Sequence, residues 1–209
     1  MRFSKWKTIL HELKHHLPFT LGASLVAGGL IALIFVFGLE SSGFFAKGFE
    51  FAHPIHVLVS AAATSAIYFK YKKSFLGSFL VGVFGAILVG SVSDIILPWL
   101  AGNLIFLQTS FHLPILENPI LILGAGVVGS VMGIRFGMFK INHSLHIFLS
   151  IAASLFYLLA FSSAVSLWVI LLVSLIVFLT VYIPCCVSDI VLPLMFIRKP
   201  CHDCGYWHE

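Results

Sequence analysis

Six apolar runs, at about residues 18–38, 54–69, 74–97, 119–138, 144–161 and 166–192, constrain this chain more than any other feature. A hydrocarbon core about 30 Å thick is crossed by roughly 20 apolar residues in a helix, and the runs match that requirement. A membrane β-barrel would instead show alternating segments of about ten residues, a pattern not found here. Composition agrees, with 60% hydrophobic and 10% charged residues and a mean hydropathy of +1.08. The expected class is an all-α integral membrane protein with six transmembrane helices. At 209 residues the chain has room for those spans and none for a separate soluble domain. About sixteen mostly polar residues precede the first run, so it reads as a retained span and not a cleaved leader.

The distribution of cations sets the expected orientation. With the N-terminus inside, Arg2, Lys5, Lys7, Lys14, Lys70, Lys72, Lys73, Arg135, Lys140, Arg198 and Lys199 all face the cytoplasm, and Lys47 alone lies outside. That asymmetry follows the positive-inside rule and predicts a protein of the cytoplasmic (inner) membrane with both termini cytoplasmic. Cys185, Cys186, Cys201 and Cys204 then lie at or inside the cytoplasmic face, where reduced thiols are expected.

The chain also repeats itself. HPIHVLVSAAATSAIY begins at His53 and HSLHIFLSIAASLFY at His143; the heptapeptide VSDIILP spans 92–98 and VSDIVLP spans 187–193. LGAS at 21–24 is echoed by LGAG at 123–126. Each half therefore contributes three spans in one order, and because three is odd the second half must run opposite to the first. Inverted three-span repeats with discontinuous helices are a known transporter architecture. The expected organisation is a cytoplasmic amphipathic segment at 1–17, transmembrane repeat 1 at 18–110, transmembrane repeat 2 at 111–197 and a cytoplasmic Cys/His tail at 198–209. The third helix of each repeat is expected to break near SDI-x-LP, with Ser or Asp as a possible N-cap for the helix that follows.

The repeated residues are polar and sit in apolar surroundings. His53, His56, Ser60 and Thr64 fall on one helical face, as do His143, His146, Ser150 and Ser154. Polar stripes on membrane helices line a cavity or another helix, and an intramembrane carboxylate is costly enough to signal function. Topology predicts an outer station of His53, His56 and Asp94 and an inner station of His143, His146 and Asp189, with Cys185 and Cys186 added where the first repeat has Gly90 and Ser91. Two imidazoles and a carboxylate suit a divalent transition metal such as Zn, Fe or Mn, and thiolates favour a softer ion on the inner side.

Both ends add possible accessory ligands. Cys201, Cys204 and His208 form CxxC-x3-H in the tail, short of a complete structural zinc motif. HELKHH at 11–16 carries His11, His15 and His16 in an HExxH pattern, and it also resembles one histidine box of membrane di-iron desaturases. A protease would need that motif in the core beside a third ligand, and a desaturase several boxes on one side. A cytoplasmic metal-collecting site fits the placement better. The small-residue patterns LGASLVAGG and LGAGVVGSVMG are read as helix-packing surfaces.

The sequence thus leads to a transition-metal ion transporter, more carrier than enzyme, moving a divalent cation between symmetry-related His/Asp sites. The alternative is a membrane-bound metalloenzyme or a haem or iron electron-transfer protein with His ligands. Expected partners are the lipid bilayer and the metal ion, with room for a homodimer and no nucleic acid.

Overall fold

The computed structural model describes residues 5–39, 43–137, 140–163 and 165–186. They form an all-helical structure with no strand among them: α1 (Lys5–Val36), α2 (Phe44–Lys72), α3 (Phe75–Ser91), a π-helical segment (Val92–Ile96), α4 (Leu97–Leu104), the short α5 (Pro114–Glu117), α6 (Pro119–Phe136), α7 (Lys140–Phe161) and α8 (Leu167–Cys186). Local chemistry fixes several ends. Lys73 turns the chain in the left-handed region at φ 46° and bonds its N–H to Phe69 O, while Ser74 caps α3 by accepting from Gly77 N at 3.3 Å. Gly137, at φ 60°, ends α6 with its N–H on Gly133 O, a conformation that glycine adopts at little cost.

In the first repeat the expected break at SDI-x-LP is not a gap, and the second copy at 187–193 lies outside the described residues. From Phe75 to Leu104 the chain runs as one 30-residue rod, and at the motif only the hydrogen-bond ladder changes. Leu97 N–H reaches back to Val92 O, five residues away, and neither Ser93 nor Asp94 acts as an N-cap. Pro98 gives the physical reason, because it has no N–H to continue the α ladder. A π turn absorbs the fault without stopping the helix.

Helix neighbours follow a simple rule. α2 packs on α3, α6 and α7; α1 packs on α7 and α8; α3 packs on α6; α7 packs on α8. If α1, α2 and α3 are exchanged with α6, α7 and α8, this set of pairs maps onto itself. The first helix of each half therefore lies against the other half. Small residues allow the closest of these crossings: a Cβ at Gly129 would meet Leu58 O, and one at Gly133 would meet Ala62 O and Ser65 Oγ. Ser65 Oγ fastens the same crossing by donating to Ser130 O at 3.0 Å.

Phe75–Leu104 and Pro119–Phe136 are long and apolar enough to cross a membrane, and Thr20–Val36, Leu145–Phe161 and Leu167–Tyr182 are shorter apolar helices. Large apolar side chains point outward along several helices, including Leu25, Leu33, Phe84, Leu88, Leu175 and Leu179. Inside, Ile147, Ile151, Leu155, Val173 and Val177 form the apolar core between α7 and α8, and polar side chains are buried alongside α2 and α7.

A candidate metal centre at the helix crossing

Asp94 sits in the middle of the π segment and is fully buried. One carboxylate oxygen, Oδ2, lies 2.9 Å from His53 Nδ1 and 2.6 Å from His56 Nδ1. The other, Oδ1, accepts from Ser93 Oγ at 2.8 Å and from Ser150 Oγ at 2.7 Å. His53 and His56 come from successive turns of α2, where the i,i+3 spacing puts both rings on one face. The backbone of α3 runs close beneath them: a methyl at Gly90 would lie 3.7 Å from His53 Cε1 and 3.8 Å from His56 Nδ1.

The π turn also explains the serines. In an α register Ser93 O would accept from Leu97 N, which is committed to Val92 O; in a π register its donor would be Pro98, which has no N–H. Ser154 Oγ lies 3.2 Å from that acceptor and 2.7 Å from Ser150 O, so its one proton is shared between the two. Ser93 and Ser150, absent from the expected ligand set, hold one oxygen of the carboxylate while His53 and His56 hold the other. Ser93 was legible in the sequence only as a helix cap, and Ser150 only as part of a polar stripe.

His53, His56 and Asp94 offer ligand atoms that all lie within 4.8 Å of one another, and this group could hold a metal ion. It lies deeper than the sequence suggests. At 1.5 Å per residue, His53 is roughly 14 Å from the start of α2 and Asp94 about 15 Å from the end of α4, so neither stands at a helix end. On the side of the α2 N-terminus an aromatic roof closes the group. Phe49 stacks on His53 with ring centres 5.4 Å apart and meets Tyr157 at 5.2 Å and Phe161 at 5.8 Å. Beyond the roof, His112 Nε2 and Glu117 Oε2 pair at 2.6 Å on the surface.

The two histidine pairs are not kept wholly apart. His146, expected at the opposite face, has its ring centre 4.6 Å from that of His56. With Phe49 beside Tyr157 and Phe161, and His56 beside His146, α2 and α7 run antiparallel. Ser60 Oγ and Thr64 Oγ1, the α2 counterparts of Ser150 and Ser154, are buried with no hydrogen-bond partner among the described residues. Asp189, Cys201, Cys204 and His208 lie outside the described residues. For His11, His15, His16, His143, Cys185 and Cys186 the description extends to the helical backbone alone.

No protein-family model, curated protein or solved structure matches this chain.

Proposed function

We propose that this chain is a six-span membrane protein of the inner membrane, both termini cytoplasmic, that carries a divalent transition-metal ion across the bilayer through a centre built on His53, His56 and Asp94. The observation that carries the reading is the convergence of three buried metal-capable side chains inside a bundle whose outer surface is apolar. Polar groups are expensive in such surroundings and are retained where a substrate uses them. Support also comes from the helix pairs, which map onto themselves when the halves are exchanged, as an inverted repeat requires. Such a repeat supplies two similar arrangements of one bundle, and the aromatic roof over His53 corresponds to an arrangement closed on that side. Binding at depth, with one side shut, is what alternating access needs.

Proteoliposomes loaded with a fluorescent metal indicator test this reading. Purified protein is expected to admit Zn2+ or Co2+ at a rate well above empty vesicles, and the His53→Ala/His56→Ala protein to fall to the empty-vesicle rate. Iron that co-purifies in near-integer ratio and resists chelation, with no metal uptake, would identify a fixed metalloenzyme centre and sink the proposal.

A further inference from the structure

We infer that the ion is ligated by imidazoles from both halves of the chain, His56 and His146, and that Asp94 stays outside the coordination sphere to orient the rings. This assignment rests on the transport reading above and revises its ligand set: His56 remains a ligand, His146 joins it, and Asp94 becomes a positioning group.

Asp94 is already saturated. A carboxylate has about four lone-pair positions, and Ser93, Ser150, His53 and His56 occupy four. Direct ligation would break these bonds in a buried site. A carboxylate can only accept, so the Nδ1 of His56 facing it carries the proton and the ring's free lone pair lies on Nε2. That Nε2 is buried and has no hydrogen-bond partner among the described residues. An uncompensated polar atom in the interior costs stability, and it marks the position where a ligand would compensate it.

His146 supplies the neighbour. Its ring centre is 4.6 Å from that of His56 at an interplanar angle of 57°. Two imidazoles sharing one tetrahedral ion, with metal–nitrogen bonds of about 2.0 Å, hold their ring centres roughly 5 Å apart. The separation is already close to that value. A carboxylate on Nδ1 with the metal on Nε2 is also the common outer-shell arrangement, in which the carboxylate fixes the tautomer and raises ligand basicity. His56 and His146 occupy matching positions in the two repeats, so one ion at this point bridges the halves along their proposed axis. Imidazole ligands select borderline ions of the Zn2+, Co2+, Ni2+ and Cu2+ group over Mg2+, Ca2+ and Mn2+.

Co2+ binding to the full chain in detergent tests the assignment, read by the intense visible bands of tetrahedral Co2+ and by Zn2+ competition. Asp94→Asn is expected to keep the spectrum with affinity lowered about 10–100-fold, the usual effect of losing an outer-shell partner. His56→Ala and His146→Ala are each expected to lose it. X-ray absorption of the wild-type Co2+ complex, which needs no variant, is expected to show scattering from at least two imidazoles. Loss of binding in a folded Asp94→Asn protein while His146→Ala binds normally, or a single-imidazole absorption spectrum, would overturn this ligand set and leave transport standing. A wild-type protein that binds neither Co2+ nor Zn2+ would overturn both.

Discussion

Replacing Asp94 with alanine is expected to destabilise the folded protein by about 3 kcal/mol or more, the range seen when one member of a buried polar network is removed. The magnitude follows from what is left behind. His53 Nδ1, His56 Nδ1, Ser93 Oγ and Ser150 Oγ all lose their acceptor at once, in a place that water does not reach. Each stranded donor costs roughly 1–3 kcal/mol, and partial regrouping keeps the total below the sum. Asparagine keeps an oxygen for the two serines, so Asp94→Asn should lose less than half as much. Reversible unfolding in mixed detergent, followed by circular dichroism, gives both values. An alanine protein as stable as the wild type would mean that the four bonds do not form.

At Gly133 alanine is expected to be just as damaging, at a cost on the order of 3 kcal/mol for forced overpacking. The added methyl would land on Ala62 O, closer than real Cβ atoms come to backbone oxygen, so α2 and α6 must separate. Ser65, which bonds Ser130 O across the same crossing, would lose its partner as the helices part. Gly124, nine residues earlier in α6, provides the control, since nothing lies within 4 Å of the position a methyl would take there. Gly124→Ala is expected to be neutral or to gain up to about 1 kcal/mol of helix propensity. Equal stabilities for the two alanine proteins in the same unfolding assay would refute the close crossing.

The helices were legible because each apolar run carries its own signal, and the juxtaposition of His53, His56 and Asp94 followed from connecting those runs in order. Depth was not legible. The second run begins at residue 54, yet α2 begins at Phe44, because Lys47 and Glu50 interrupt the apolar pattern without interrupting the helix. Likewise the third run ends at 97 while the rod continues to Leu104. Charged residues in a helix's outer turns look like loop from hydropathy, so the histidines were read as terminal when they are interior. The contact of His56 with His146 had a signal in the matching HxxH spacing: if the central helices of two inverted halves cross, their counterparts meet near the axis. The π turn was read as a break because a proline after a polar pair fits a helix start as well as it fits a ladder fault.

The exchange of first helices between halves bears on how the chain is made. Ser174 of α8 lies against Gly28 of α1, so α1 completes its contacts only after α8 has been made. Until then α1 has no finished seat, and the long sequence separation makes that docking a slow step. Each half keeps part of its helix packing in the other, and two fragments cut at the midpoint would have to find each other to regain the bundle.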